Sequence, residues 1–329
     1  MERDCRRVSR RSLLGAGVLA MAAPVARPAR AGGVHRIGVL AQNLQPGLLD
    51  DFRLGLKDFG YLEGKNIVIE VRDAAGHNER LPGLAAELIQ LNVEVILAVN
   101  TPAAQAAQKA TSTIPIVITR VADPVKSGLV ASLAHPGANI TGMHFLQGEL
   151  GSKGVQLLRE TLPSLSQVGA LYSADNPGGL SIVKETERRC AESGVRFLRL
   201  PVRNAADDAE AFGKAEAARA EAMFVMDDGA VTGRRQGIAA LSLAHRLPLV
   251  SIYRDLAAAG GLFAYGPSLP DVYRRGGYFV DRILKGEAPR NLPVEQPTKF
   301  RLIVNLKTAK AFGYAIPALV LARADEVIE

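Results

Sequence analysis

The chain has 329 residues, enough for about two domains, with a formal net charge of +7 at pH 7 and 48% hydrophobic residues. The charge excess lies at the start, because residues 1–31 hold seven arginines and two acidic residues and the remainder carries only +2. A remainder so close to neutral gives no indication of binding to nucleic acid or to an anionic membrane surface. Beyond residue 31 Cys190 is the one cysteine, so a disulfide framework within that part is excluded.

Residues 1–31 have the features of an export signal. Arg10 and Arg11 precede the uncharged stretch Leu13–Ala26, which is too short to span a bilayer core of roughly 30 Å. Ala29 and Ala31 form an A-x-A cleavage site. Adjacent arginines are typical of the twin-arginine route. We expect cleavage near Ala31 by way of the twin-arginine export machinery and a periplasmic mature protein, the alternatives being a disordered basic tail or a membrane anchor.

The remaining chain alternates strand-like and helix-like patterns. The strand candidates are Arg36–Ala41, Asn66–Val71, Val93–Val99, Ile114–Thr119, Val168–Tyr172, Val195–Leu200, Ala222–Met226, Leu247–Tyr253 and Gly261–Tyr265. The helical patterns include Leu81–Leu91, Ala103–Ala110, Ile238–His245 and Val272–Leu284. Nearly continuous β-branched runs, such as Val93–Val99, are typical of strands buried on both faces of a parallel sheet. The alternation predicts an α/β fold.

The order of elements occurs twice. In each half a helix is followed by a strand whose second residue is proline, Pro115 in the first and Pro248 in the second. This repetition predicts two lobes around a cleft. The chain is expected to pass from one lobe to the other near Leu146–Gly148, and again at 266–268 and 293–297, two later segments that contain proline or glycine. We assign residues 34–145 with 266–295 to the N-terminal lobe and 146–265 with 296–329 to the C-terminal lobe.

Catalytic signatures are sparse. The sequence contains no G-x-S-x-G elbow, no H-E-x-x-H, no C-x-x-C and no phosphate-binding loop of the G-x-x-x-x-G-K-[ST] type. Its five histidines are isolated, and none has a metal-ligand spacing to another histidine or cysteine. We therefore expect neither a catalytic residue nor a metal or cofactor.

Ligands of open α/β sheets bind beyond the carboxyl ends of the strands, where polar residues follow two strands of the first half. Gln42 and Asn43 follow the first strand. Thr101 is a predicted N-cap with Pro102 as the first helical residue, and Ala103 follows. The free amides of this helix terminus are suited to hold a carboxylate. Simple capping of the helix is the alternative.

In the second half Asp227 and Asp228 follow a strand and could bind an ammonium, hydroxyls or a metal ion. An ordinary Asp-Gly turn is the alternative, and one of the two carboxylates can cap the following helix. Tyrosines end three strands, where their rings face a ligand or cover the sheet edge. The three tyrosines are Tyr172, Tyr253 and Tyr265. Two further candidates at strand ends are Asp123 and Phe145.

Sequence motifs distributed over nearly the whole of residues 35–329 carry a family resemblance. They include Gly60–Ile67, Ala110–Val117, Asp123–Val125, Gly128–Leu133, Asn139–Gly142, Leu284–Gly286, Leu292–Phe300, Asn305–Lys310 and Arg323–Ile328. In these motifs the chain resembles a bacterial family of ABC transporter substrate-binding proteins, whose better-known members carry amino acids, aromatic ones among them. The resemblance implies a type I periplasmic binding-protein fold, with two Rossmann-like lobes, three crossovers and a ligand in the cleft.

The function expected from this resemblance is that of the exported solute-binding component of an ABC importer. Such a protein closes over a small solute, here expected to be an amino acid or a related carboxylate, and delivers it to a permease in the inner membrane. No bond is broken, and the protein is not an enzyme. Two alternatives remain at this stage, because fold alone does not fix function. They are an exported enzyme that uses Asp227 and Asp228, and a sensor subunit that presents its bound ligand to a receptor.

Overall fold

The computed structural model of the protein describes residues 33–145, 147–226 and 228–329. The predicted signal, residues 1–31, and the candidate Asp227 lie outside the described residues. The described strands form one sheet of five and one sheet of seven, which we use to define the first and the second lobe together with the helices packed on each. The predicted α/β fold with two lobes and mainly parallel sheets is confirmed.

The sheet of the first lobe is parallel and has the strand order β2-β1-β3-β4-β5. Its strands are β1 His35–Ala41, β2 Ile67–Asp73, β3 Val95–Val99, β4 Ile116–Val121 and β5 Ile140–His144. Every residue of β3, β4 and β5 is buried. This is expected for the central strands β3 and β4, which are covered on both faces, whereas β5 ends the strand order and is bridged at Met143 by Glu295. The β-branched run at Val93–Val99 indicated this burial correctly.

The sheet of the second lobe has the order β12-β11-β10-β9-β8-β6-β7, and among its described pairings only β10 with β11 is antiparallel. Its strands are β6 Gln167–Ser173, β7 Arg196–Val202, β8 Ala222–Val225, β9 Leu249–Ser251, β10 Phe263–Pro267, β11 Phe300–Asn305 and β12 Glu326–Ile328. The strand candidates from the sequence correspond to nine of these twelve strands, and β5, β11 and β12 were not predicted.

Helices connect the strands and cover the sheets. They are α1 Leu48–Lys57, α2 Leu81–Gln90, α3 Thr101–Ala110, α4 Gln147–Thr161, α5 Pro177–Glu192, α6 Ala205–Ala217, α7 Gly229–Gly233, α8 Arg235–Ala244, α9 Arg254–Ala259, α10 Leu269–Leu284, α11 Leu306–Phe312 and α12 Ala318–Leu321, with 3₁₀ turns at Asn78–Arg80 and Pro289–Asn291. No helix of the described residues combines the length and the apolar character needed to cross a membrane.

The chain passes between the two sheets at three places. It leaves the first sheet after β5 and enters the second with β6. After β10 it returns, because α10 packs on α1 and on β4 of the first lobe. Glu295 then pairs with β5, accepting from the His144 amide at 3.0 Å and donating to the Gly142 carbonyl at 2.9 Å, before β11 rejoins the second sheet. Two of the three passages therefore lie side by side at β5.

Glycines make the contact between α1 and α10 possible. A Cβ on Gly277 would lie 2.6 Å from the Leu56 backbone nitrogen, and one on Gly55 would lie 2.8 Å from the Arg274 carbonyl carbon. These obstacles are backbone atoms, which cannot rotate away as a flexible side chain does. The two helices that fix the returning segment to the first lobe therefore depend on glycine at both positions.

We expect Gly277→Ala to destabilise the protein by about 1–3 kcal/mol, because the added methyl forces two packed helices apart. The free energy of unfolding, measured by urea titration followed by circular dichroism, tests this. Gly237→Ala in α8 is the matched control, since nothing lies within 4 Å of a Cβ at that position. Equal stability of the Gly277 variant and the wild type would contradict the role of this close approach.

Candidate functional site

Direct hydrogen bonds join the two lobes where β1 and β8 end. Gln42, which follows β1, is completely buried, and its Nε2 donates to the two carboxylate oxygens of Asp228 at 3.4 and 3.3 Å. Its Oε1 accepts from Asn100 Nδ2 at 3.0 Å and from the Gly229 amide at 3.3 Å. One amide side chain of the first lobe thus pairs with both the carboxylate and the backbone at the start of α7 in the second lobe.

Two further bonds extend this contact. Asn43 Nδ2 donates to the Gly229 carbonyl at 2.9 Å, and Gln45 Nε2 donates to Thr232 Oγ1 at 3.2 Å. Together with the pairing of Gln42 and Asp228 they form a continuous line of contacts between the loop after β1 and α7. We call this line the interlobe seam; it consists of Gln42, Asn43, Gln45, Asp228, Gly229 and Thr232.

Asp228 has the capping role that the sequence analysis proposed for one of the two aspartates. Its Oδ1 accepts from the amides of Ala230 at 2.8 Å and Val231 at 3.4 Å, which makes it the N-cap of α7. Its Oδ2 accepts from Asn176 Nδ2 at 2.8 Å. Added to the bonds from Gln42, these donors hold a buried carboxylate in one orientation at the seam.

A second contact between the lobes is built from aromatic rings and an arginine. The Arg120 guanidinium, in β4, lies 4.7 Å from the centre of the Tyr253 ring, two residues beyond β9. Phe145, just after β5, meets the same ring edge-on at 6.5 Å between centroids. All three side chains are buried, and Arg120 is only 2% exposed. A cation and two rings therefore close the part of the cleft between β4, β5 and β9.

Arg120 and Asn100 are backbone outliers at this end of the first sheet. Arg120 has φ 57°, at the point where the pairing of β4 with β5 shifts register. Asn100 has φ 74° and ψ 162°, a region otherwise confined almost to glycine. Strain of this kind costs of the order of 1–3 kcal/mol per residue and is concentrated at functional sites. Arg120 and Asn100 were not predicted as site residues from the sequence.

The predicted N-cap of α3 is wrong by one residue. Asn100 occupies the cap position, and Thr101 is the first helical residue with Pro102 and Ala103 after it. The Thr101 hydroxyl accepts from the Ala122 amide at 3.5 Å, so it ties α3 to the end of β4. The unusual backbone angles of Asn100, which sequence patterns do not reveal, move the start of the helix.

The other predicted residues lie in different surroundings. Tyr172 is the sixth of seven residues in β6 and is buried in the core. Tyr265 does not end its strand, as was predicted, but lies in the middle of β10 and stacks on Phe300 of β11 at 6.1 Å. Because β11 was not predicted from the sequence, this ring had no expected partner. Asp123 is half-buried and accepts from the Lys126 amide at 3.0 Å within its own loop.

Comparison with known proteins identifies the family. The profile described as ABC transporter substrate binding protein matches residues 45–328. The chain belongs to this family of substrate-binding proteins. Such proteins bind small solutes outside the cytoplasmic membrane and deliver them to ABC permeases. The comparisons give no support to the alternative of an exported enzyme.

Individual relatives of this substrate-binding protein agree with the assignment. It is 24% identical to a tyrosine-binding protein of Clostridioides difficile strain R20291 over an alignment of 261 residues. This alignment covers 79% of this chain and 74% of the relative. A conserved domain protein of Vibrio cholerae has a similar structure, with a TM-score of 0.84, 28% identity, and coverage of 89% of this chain and 99% of that one. An ABC domain from Streptococcus pneumonia in complex with L-Trp gives a TM-score of 0.84 at 24% identity, covering 90% of this chain and 100% of that one.

The space between the lobes of this substrate-binding protein continues on the outer side of the seam as a polar cavity of about 520 Å³. The loops after β2 and β7, at 75–79 and 203–205, line it from the two lobes, and Asn43 and Gly233 border it. The interlobe seam thus lies between this outer cavity and the cluster of Arg120, Tyr253 and Phe145. Among the described residues no group of three His, Cys, Asp or Glu side chains is arranged to hold a metal ion.

The sequence signal for Arg120 was weak but present. Arg120 is the one charged residue of the stretch Ile116–Val121, and a charge is unusual near the carboxyl end of a buried strand. His144, the last residue of β5, is paired with the neighbouring Val121 and is also buried. Burial lowers the pKa of His144 below its ordinary value of 6.5, and the negative charge of Asp123 opposes this shift. His144 is therefore held neutral in the folded protein around neutral pH.

This depressed pKa predicts loss of stability at acid pH. Below about pH 6.5 the unfolded chain takes up a proton on His144 that the folded protein resists, so unfolding becomes more favourable as the pH falls. We expect His144→Gln to reduce the loss of melting temperature between pH 7.5 and pH 5.5. The exposed His135, changed to Gln, is the control. A pH dependence equally steep in the His144 variant and the wild type would contradict this origin.

Proposed function

We propose that this substrate-binding protein binds an amino acid with an aromatic side chain between its lobes. The observation that carries the proposal is the buried Arg120 guanidinium stacked on Tyr253, beside Phe145, where the strand ends of the two lobes meet. This arrangement combines a fixed positive charge with apolar ring surfaces contributed by both lobes. An aromatic amino acid offers the complementary groups, a carboxylate and a ring.

Arg120 is the proposed partner of the carboxylate. A guanidinium presents a planar fork of donors that matches a carboxylate in two parallel hydrogen bonds. The first turn of α3, residues Thr101–Ala103, opens beside it, since the Thr101 hydroxyl bonds to the amide of Ala122, two residues after Arg120. Helix amides and the helix dipole add to the attraction for an anion at this place.

Phe145 and Tyr253 are the proposed contacts of the side chain, because aromatic rings favour edge-on and offset contacts with one another. The tyrosine bound by one relative and the L-Trp bound by another are consistent with such a ring. For the ammonium we propose the Asp227–Asp228 pair as the acidic partner. Gln42 and Asn43 close the adjacent part of the cleft.

Calorimetric titration of the mature protein tests this function. We expect L-tyrosine, L-tryptophan or L-phenylalanine to bind, and the corresponding amine without a carboxylate to bind far more weakly. Arg120→Gln should weaken binding roughly ten- to hundredfold, since a hydrogen bond to a charged group contributes about 1.5–3 kcal/mol.

Arg219→Gln is the matched control for this variant. Arg219 also has a positive φ, of 58°, but it is exposed. The control should bind like the wild type, whereas Arg120→Gln should not, with similar melting temperatures showing that both are folded. Equal affinity of the two variants, or preference for a solute without an anionic group, would rule out the proposed role of Arg120.

The lobe boundaries proposed from the sequence are 34–145 with 266–295 and 146–265 with 296–329. The packing of α10 on α1 supports the return of the chain to the first lobe, and β11 and β12 in the seven-stranded sheet support its final passage. We propose residues 1–31 as a cleaved twin-arginine signal, on the basis of Arg10, Arg11 and the A-x-A site.

Changing both Arg10 and Arg11 to Lys should leave uncleaved precursor in the cytoplasm, because the twin-arginine route recognises the pair. Fractionation of cells followed by immunoblotting measures this. Changing Arg6 and Arg7 to Lys is the matched control, since these arginines do not adjoin the apolar stretch. Normal export of the Arg10/Arg11 variant would indicate the general secretory route.

A further inference from the structure

The outer cavity beyond the interlobe seam has a lining unlike that of the arginine and aromatic cluster. Its volume of about 520 Å³ is in the range of cavities that take small molecules. The first lobe contributes the loop 75–79, and the second contributes the loop 203–205 with Ser173, Asp175 and Arg234. Among the described residues that line it, no side chain is aromatic and none is a large aliphatic one. An apolar solute would therefore find no matching surface here.

We propose that the outer cavity is a second solute site, which binds a polar amino acid in its zwitterionic form. Four ionisable side chains of the lining form two pairs, one on each lobe. On the first lobe His77 Nδ1 lies 3.2 Å from Glu79 Oε1. On the second lobe Arg203 Nε lies 3.3 Å from Asp175 Oδ1. The cavity thus offers a guanidinium for a carboxylate and two carboxylates for an ammonium.

The pair of Arg203 and Asp175 is suited to accept a solute. Both side chains are exposed, and an ion pair of this kind contributes little to stability. The contact with Asp175 uses Nε of the guanidinium. No second carboxylate of the described residues forms an ion pair with Arg203. The two terminal amino groups of Arg203 are therefore able to form the paired hydrogen bonds that a carboxylate accepts.

The mixture of acidic and basic groups favours a zwitterion over a simple ion. A lone anion would be repelled by Glu79 and Asp175, and a lone cation would be repelled by Arg203. Arg234, which also lines the cavity, does not alter this balance. Its Nε and Nη2 donate to the carboxylate of Asp208 at 2.6 and 2.8 Å, so its charge is already matched within the protein.

The fold holds the walls of the outer cavity in place. Ala75 and Gly76 have φ of 54° and 86°, and the Gly76 amide donates to the Gln42 carbonyl at 2.7 Å, which fixes the loop after β2. On the opposite wall Asn204 caps α6 by accepting from two amides of its first turn. Walls fixed in this way lose little conformational freedom when a solute binds. Asn78 and Asn204 add amide groups for the polar side chain of the solute.

This second site is distinct from the site proposed for an aromatic amino acid. The interlobe seam lies between the two, and Arg120, Tyr253 and Phe145 are not among the residues that line the outer cavity. The outer cavity therefore takes a solute of a different class. Its existence does not depend on the proposed function.

Titrations of the purified protein with L-serine and L-glutamine, followed by saturation-transfer difference NMR, test the outer site. Both amino acids should bind. N-acetyl-L-glutamine lacks the ammonium and the α-amide of L-glutamine lacks the carboxylate, so each should bind more weakly than L-glutamine. Failure of L-serine and L-glutamine alike to bind would overturn the proposal. Equal binding of the three glutamine compounds would also overturn it.

Substitutions in the lining test which charge each group of the solute contacts. Arg203→Gln should weaken the binding of L-glutamine roughly two- to fivefold, in keeping with the small contribution of exposed charge contacts. It should leave the binding of the α-amide unchanged, because that compound has no carboxylate. Glu79→Gln should likewise weaken the binding of L-glutamine but not that of N-acetyl-L-glutamine, which has no ammonium.

Arg199→Gln is the matched control for Arg203→Gln. Arg199, in β7, is also exposed and forms an ion pair with Glu187, but it does not line the cavity. The control should bind L-glutamine like the wild type, and similar melting temperatures should show that both variants are folded. Equal affinity of Arg203→Gln and Arg199→Gln for L-glutamine would rule out the outer cavity as its site.

Saturating L-tyrosine shows whether the two sites are independent, and this measurement rests on the proposed function. L-glutamine should keep its affinity in the presence of L-tyrosine. Displacement of L-glutamine by L-tyrosine would indicate a shared site and overturn the proposal. If the wild type does not bind L-tyrosine, the proposed function fails, and the variants of Arg203 and Glu79 still decide whether the outer site exists.

Discussion

The cleft of this protein depends on one constraint, the joining of parallel strands through helices. Such connections bring the carboxyl ends of all the strands, and the loops that follow them, to the same edge of a sheet. The five strands of the first lobe and β6 to β10 of the second lobe are arranged in this way, and their two edges face each other. As a result Gln42 and Asp228, which are 186 positions apart in the chain, form a direct hydrogen bond. Each group that forms the site lies within a few residues of a strand end.

Buried polar groups at these edges require partners, because burying an unpaired amide or charge is costly. The carboxylate of Asp228 meets this condition with amide donors from α7, Asn176 and Gln42. Arg120 has the ring of Tyr253 across the cleft. When the lobes separate, the Asp228 carboxylate and the Arg120 guanidinium lose their partners from the opposite lobe and are hydrated instead. The polar groups of the cleft therefore couple the position of the lobes to the hydration of the cleft. This coupling suits a protein that alternates between an open and a closed form.

Each lobe also has packing of its own, as rigid-body movement requires. A cluster formed by α2, α3 and the first sheet belongs to the first lobe, and a cluster formed by α6, α8 and the second sheet belongs to the second. The backbone strain at Asn100 and Arg120 lies between these rigid parts, where the surrounding sheet holds it in place. The packing within these two clusters therefore does not depend on the contact between the lobes.

The sequence by itself determined the α/β class, nine of the twelve strands in the described part of the chain and several residues of the cleft edge. These features depend on local patterns, namely β-branched runs, helical periodicity and polar residues after strands. It did not reveal β5, in which Gly142 and His144 interrupt the apolar pattern, or β12, which has only three residues.

Tertiary structure alone decided the remaining features of the site. The positive φ of Arg120 arises where β4 shifts against β5, and the stacking of Tyr265 depends on β11, its antiparallel neighbour. The seam depends on how three passages of the chain orient one lobe against the other. A local pattern specifies which residues end a strand, but not the residues across the cleft that they meet, because that distance is fixed by packing between segments far apart in the chain.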